Sequence, residues 1–343
     1  MKRLLNTLYV TTQGSYLSRD GETVLIRVGE ETKLRIPIHT LESIVCFGQV
    51  SCSPPLMRLC GERKVNISFM SEYGRFWARV EGPVSGNVLL RRKQYKVADD
   101  PVNSLRIARA FVVAKIANCR TVLLRALRDH GDKIDASSVQ QAVQKLSRIL
   151  DSALCSPDLT GLRGLEGDGA RTYFGVFNHL ILAEKESFSF SERSRRPPLD
   201  NINAMLSFSY ALLTHDVISA IESVGLDPAV GYLHSDRPGR PSLALDLMEE
   251  FRPIFADRLV LSLINRQQVR PSGFKKTESG AVLMDDDTRK QFIVAYQKRK
   301  QEEIKHPLLD DKLNIGLLPF AQSLLLARYL RGELEAYPPF FWK

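Results

Sequence analysis

From Ile202 to Ile221 the chain is apolar nearly all round a helical projection. A helix without a polar face is stable in water only when other elements enclose it, so this segment predicts the middle of a helical bundle. The surroundings are supplied by helical periodicity over 136–154, 169–185, 202–223, 243–264, 286–304 and 313–333. A further long helix enters through Asp99-Asp100-Pro101 and carries Leu105, Val112, Ile116, Cys119, Leu123 and Leu127 as an apolar stripe. Arg106, Arg109, Lys115, Arg120, Arg125 and Arg128 fall off that stripe. They read as a solvated face, with a DNA-tracking face as the competing reading. No segment reaches the roughly 18 apolar residues that a membrane span needs.

The first ninety residues have a different character. Thr7–Thr12, Thr23–Val28 and Lys33–Ile38 are short, rich in β-branched residues and separated by turn signals at Arg19–Gly21 and Gly29–Glu31. A short helix over Ser53–Cys60 and strands over Val65–Met70 and Phe76–Val80 complete this part. The predicted fold is therefore α+β in two domains. A small β-rich domain covers 1–90, a linker covers 91–103, and a larger all-α domain covers 104–343. Loops at 187–198 and 269–280 both carry basic residues.

The formal charge of +9 and pI near 9.3 suit a polyanionic partner, a property shared by many basic proteins that bind no nucleic acid. The five cysteines, Cys46, Cys52, Cys60, Cys119 and Cys155, lack both CxxC pairing and finger spacing, which excludes a zinc module. Scattered thiols and an N-terminus without a cleavable apolar run predict a soluble cytoplasmic protein.

Four side chains stand out against this background. Glu166 lies in the glycine-rich stretch Gly164–Arg171, just ahead of a helical pattern, and His234 ends the extended run Gly231-Tyr232-Leu233-His234. Asp246, Glu249 and Glu250 stand at i, i+3 and i+4, on one helical face. Water would solvate such a cluster on a surface helix. Here Leu243, Leu247, Phe251, Ile254 and Phe255 flank it, and Pro253 cannot donate to the Glu249 carbonyl, which predicts packing and a kink beside the acids. Packed acids need a cation or a base partner to stay charged. Two or three carboxylates with one imidazole form a ligand set for Mn²⁺ or Mg²⁺ acting on a phosphodiester. Glu166 reads equally as a helix-start acid, a role Asp168 fills as well. His234 taken alone reads more readily as a structural histidine, and His39, His130, His179, His215 and His306, which lack comparable surroundings, read as structural.

These residues also resemble a known family. Gly164–Phe174 looks like the first signature of CRISPR-associated protein one, the integrase-nuclease of spacer acquisition. Arg195–Ser207 is similar to its second block, Gly225–His234 to its third and Ser242–Pro253 to its fourth, all in family order. The resemblance covers essentially the whole chain. It implies divalent metal, Mg²⁺ or Mn²⁺, at Glu166, His234 and Glu249, with Asp246 as an additional active-site acid that positions a ligand or water or accepts a proton. Where the family often has Asp, this chain has Glu249, which is one methylene longer.

The resemblance further implies an enzyme that joins 3′-hydroxyl ends of short foreign DNA to a CRISPR array, with residual nuclease activity. The implied partners are DNA, a second copy of the chain joined through the β-rich domains, and the small ferredoxin-like CRISPR-associated protein two. Arg163, Arg171, Arg195, Arg196, Lys275 and Lys276 are the candidates for phosphate contact. The alternatives are a general metal-dependent nuclease for branched DNA and a non-catalytic DNA-binding scaffold. The aromatic end Ala336–Lys343 reads as docked on its own bundle or into a partner groove.

Overall fold

A computed structural model describes residues 7–80, 82, 88–309 and 312–342. The chain divides into two units, Met1–Ser85 and Gly86–Lys343.

The first unit holds β1 (Thr7–Val10), β2 (Ser15–Asp20), β3 (Thr23–Val28), β4 (Glu31–Pro37), β5 (Ser43–Phe47), β6 (Ser51–Cys52), α1 (Pro54–Arg63), β7 (Asn66–Met70) and β8 (Phe76–Val80). Its strands form two four-stranded sheets, ordered β1-β5-β7-β8 and β4-β3-β2-β6. Leu17, Val24, Ile26, Ile44, Leu56 and Ile67 are among the side chains of their common core. β3 and β8 match the sequence expectation residue for residue. β2 is a strand that sequence reading omits, because Ser-Tyr-Leu-Ser-Arg-Asp has weak β character. It is held by pairing with β3 on one side and β6 on the other.

The second unit holds α2 (Val88–Asp99), α3 (Pro101–His130), α4 (Ala136–Leu154), α5 (Leu159–Gly175), α6 (Asn201–Ser223), α7 (Ser242–Met248) and α8 (Arg258–Asn265). Hairpin β9 (Phe274–Lys276)–β10 (Val282–Met284) follows, then α9 (Asp286–Gln301), hairpin β11 (Glu303–Lys305)–β12 (Lys312–Asn314) and α10 (Leu318–Leu330). Aspartates cap five of these helices: Asp100, Asp135, Asp158, Asp200 and Asp285 each accept an amide from the first turn. Contrary to the sequence expectation, α6 is long and apolar enough to cross a membrane, but most of that apolar window is buried inside the unit, as a central core helix requires.

Several expectations are corrected. Residues 91–103 do not form a linker; they make most of α2 and the start of α3, because Asp100 and Pro101 cap a new helix rather than opening a loop. The unit is not all-α, since two hairpins interrupt it, and Lys275 and Lys276 lie on a strand paired with Leu283 and Val282. The helix expected at 169–185 runs instead from Leu159 to Gly175, started by the Asp158 cap. The helix expected over 243–264 breaks after Met248 and resumes through a π-helical segment, Arg252–Asp257, that contains Pro253. This interruption is the kink that Pro253 predicts. Beyond α10, residues 331–342 have no regular structure, yet Tyr337 and Phe340 are buried against the unit's own helices. The aromatic end therefore docks on its own bundle.

Candidate active site

α5 approaches α3 closely because glycine allows it. A Cβ on Gly169 would lie 3.2 Å from Ile116 Cγ1, so a larger residue would press the helices apart. Glu166, just under one turn earlier on α5, reaches across and pairs with Lys115 on α3. The same Lys115 Nζ lies 2.7 Å from Glu249 Oε2. Arg252 Nη1 donates to the other oxygen of Glu249 at 2.6 Å. Two carboxylates from different elements thus share one buried ammonium. Burial works against the Lys115 charge, but Glu249 and Glu166 outweigh it and hold the ammonium above its usual range. Burial alone would push Glu249 up, whereas Arg252 and Lys115 hold it well below the usual carboxylate range.

The other half of the site is a clamped imidazole. Asp246, fully buried on α7, accepts from the amides of Tyr232 (2.6 Å), Leu233 (2.9 Å) and His234 (2.9 Å), and its Oδ1 lies 2.6 Å from His234 Nδ1. Gly231 makes the approach possible, since a Cβ there would fall 2.8 Å from Asp246 Oδ2. Residues 231–234 are therefore not an extended run but a loop wrapped around one carboxylate. Arg163 Nε fastens the same loop by donating to Leu233 O at 2.7 Å. With Nδ1 engaged, the His234 Nε2 makes no hydrogen bond among the described residues.

Two sequence expectations change here. Glu166 lies inside α5 rather than ahead of a helix, and Asp158 supplies the cap, so neither Glu166 nor Asp168 is a capping acid. The acids Asp246, Glu249 and Glu250 are all buried as their flanks predict, but they do not share one face. α7 ends at Met248, and each acid turns to different partners.

As the side chains stand, no three His, Cys, Asp or Glu among the described residues converge as a metal-ligand set. The donor chemistry nevertheless fits a hard divalent ion. Two carboxylates already face one cation, and His234, held at Nδ1 by Asp246, completes the donor types such an ion takes.

A second layer supports Arg252. Its guanidinium carbon lies 4.1 Å from the centroid of the Tyr210 ring, and the Tyr210 hydroxyl donates to Asp257. Burial outweighs Tyr210, Arg252 and Arg193 and pushes the Asp257 carboxyl up to about 6. Between the ordinary carboxylate range and about pH 6, the folded protein holds a proton on Asp257 that the unfolded chain has released. Stability from this group is then lost as pH rises through that window. Asp257→Asn should flatten the decline, as measured by denaturant unfolding of both proteins at pH 4.5 and 7. A slope unchanged from wild type would show that Asp257 does not carry it.

The model of the family described as CRISPR associated protein Cas1 matches residues 8–298. The chain is 54% identical over its full length, and over the full length of the relative, to CRISPR-associated endonuclease Cas1 1 of Chlorobaculum tepidum. The chain belongs to the Cas1 family. Its fold is also that of a Cas1 protein from Thermotoga maritima (TM-score 0.83, 24% identity, 97% of this chain and 99% of that one). A chain in a Cas6-RT-Cas1–Cas2 complex matches equally well over all of this chain and 36% of its own length (TM-score 0.83, 21% identity).

In this Cas1-family chain the basic candidates separate. Arg163 is spent on the His234 loop, and exposed Arg171 pairs with Asp168 at 2.8 Å. Arg195, Arg196, Lys275 and Lys276 are exposed and make no hydrogen bond or ion pair with the four central residues among those described. Lys115 is the main residue that sequence reading misplaced. It is not on a solvated face: Phe111, Lys115, Asn118 and Val122 recur at i, i+4, i+7 and i+11 on a buried stripe. A lysine and an asparagine on an apolar stripe are the signal that would have found them. Arg109 and Arg120 likewise serve packing, donating to Ser156 O and Ser147 Oγ, both at 2.7 Å.

Proposed function

We propose that this Cas1-family protein is a metal-dependent DNA integrase and endonuclease of CRISPR adaptation. The observation that carries the site assignment is the pair Glu166 and Glu249 facing one cation beside a histidine clamped by Asp246. Glu166, His234 and Glu249 would hold Mg²⁺ or Mn²⁺. The imidazole nitrogen favours Mn²⁺, since Mg²⁺ prefers oxygen shells. The ion supplies polarisation of a phosphoryl oxygen and a lowered pKa for the attacking hydroxyl.

The chain's own residues do the positioning. Asp246 accepts the Nδ1 proton of His234, which fixes the tautomer and leaves the Nε2 lone pair for ligation. Arg252 fixes the rotamer of Glu249 from the opposite side. The 3′-hydroxyl oxygen of an incoming fragment attacks the phosphorus at the edge of a repeat and gives up its proton, a new P–O bond forms, and the 3′-oxygen of the nucleotide preceding that phosphorus leaves and is protonated to a hydroxyl. Water in place of the hydroxyl gives cleavage.

The exposed bases Arg171, Arg195, Arg196, Lys275 and Lys276 are the proposed phosphate contacts. We assign dimerisation to the β-rich unit and catalysis to the helical one. The likeness to a chain from a Cas1–Cas2 complex supports CRISPR-associated protein two as partner. A cytoplasmic location accords with the scattered thiols.

The deciding experiment mixes the protein and its small partner with Mn²⁺, a short duplex bearing 3′-hydroxyls and a supercoiled plasmid carrying a repeat. Joining at repeat edges that is lost in His234→Ala is the expected result. Cutting without joining would point to a general nuclease, and no metal-dependent reaction to a scaffold. Asp246→Asn should weaken Mn²⁺ binding by about 10–100-fold, measured by calorimetric titration. Unchanged affinity would remove Asp246 from the positioning role.

A further inference from the structure

Glu250 follows Glu249 in sequence but takes no part in the ion pairs. Its carboxylate accepts from the Tyr337 hydroxyl (2.6 Å), the Phe340 amide (2.8 Å) and Gln322 Nε2 (3.1 Å). Its backbone carbonyl accepts from Asn118 Nδ2 at 2.8 Å. Asn118 also donates to Phe340 O at 2.9 Å, and its Oδ1 accepts from the Trp342 amide at 2.8 Å. The Trp342 ring lies 3.7 Å from the guanidinium carbon of Arg125 and 4.4 Å from that of Arg258. One short segment, Tyr337–Trp342, is thereby tied to two places: the turn that presents Glu249, and α3 three residues past Lys115.

That turn needs an outside hold. Glu249, Glu250 and Phe251 lie between the end of α7 and the π-helical segment, and their amides bond only three residues back, at 3.2, 3.3 and 2.9 Å. The Glu250 carbonyl finds its partner on α3. We propose that Tyr337–Trp342 is a positioning strap that fixes the Glu249 turn against α3. Asn118 and Glu250 are the positioning residues through which it acts. The strap sets the spacing between Glu249 and Glu166, and so the affinity of the site for a divalent cation. This inference rests on the reading above that Glu249 is a metal ligand.

The test is a chain stopped after Ala336, compared with the intact protein by Mn²⁺ titration followed by electron paramagnetic resonance. Amide exchange of residues 249–251 is recorded in the same samples without metal. The expected result is an affinity about 10–100-fold weaker, faster exchange at 249–251, and recovery of both when a Glu335–Lys343 peptide is added. Asn118→Ala keeps the tail and covers the case in which the shortened chain does not fold; it should show the same two changes. Unchanged Mn²⁺ affinity and unchanged exchange in a folded variant overturn the strap. If the intact protein binds no Mn²⁺, the metal reading fails on its own. Exchange at 249–251 then decides the strap: acceleration in the variants upholds it and no acceleration overturns it.

Discussion

Glu249→Ala should lower the unfolding free energy by about 3–5 kcal/mol, the range for breaking a buried ion pair from one side. The substitution strands Arg252, which is buried with its other faces against Tyr210, and leaves Lys115 with Glu166 alone. The loss is large against the roughly 5–15 kcal/mol that holds an ordinary domain together. Denaturant unfolding should show a lower midpoint at unchanged slope. A double variant, Glu249→Leu with Arg252→Met, should recover much of the stability, because replacing both charges by apolar groups leaves neither uncompensated. All metal-dependent DNA chemistry should vanish in both. A single variant as stable as wild type would mean that Glu249 anchors nothing.

Lys115→Met is the second large effect, and its size depends on the solution. In chelator, the variant loses the cation shared by Glu166 and Glu249 and should be destabilised by about 3 kcal/mol. Methionine fills similar volume, so the loss is electrostatic rather than a cavity. On the proposed metal reading, Mn²⁺ would take over the neutralising role without having to displace an ammonium. Binding to the folded state alone stabilises by about 2.7 kcal/mol at a hundredfold excess over Kd. The rise in melting temperature on adding Mn²⁺ should therefore be larger in the variant than in wild type. An equal rise in the two proteins would show that Lys115 does not compete for the ion.

What the sequence makes legible is set by how local the physics is. α6 announces itself because an all-apolar helix has one possible environment, and α4 because its amphipathic period and Asp135 cap agree. β3 and β8 are bounded by strong turn signals and match to the residue. α5 is misplaced because its glycines argue against helix in isolation, and only contact with α3 explains them. The hairpins hide because three-residue strands have too little pattern to read. At the site, residue types in order single out Glu166, His234, Asp246 and Glu249. They do not reveal that Asp246 turns to the His234 loop and Glu250 to Tyr337, since both bonds reach across the chain.

α5 carries one more consequence. Five glycines lie within its seventeen residues, each costing about 1 kcal/mol relative to alanine in a helix interior. The helix bearing Glu166 therefore has little intrinsic stability and owes its existence to its neighbours, whereas most of α6 is buried. Opening energies in such a bundle are unequal, and α5 should open at lower cost than α6. On the proposed reading, catalytic competence and global integrity would then be separate thresholds: Glu166 could leave Lys115 while the interior of the bundle stays intact.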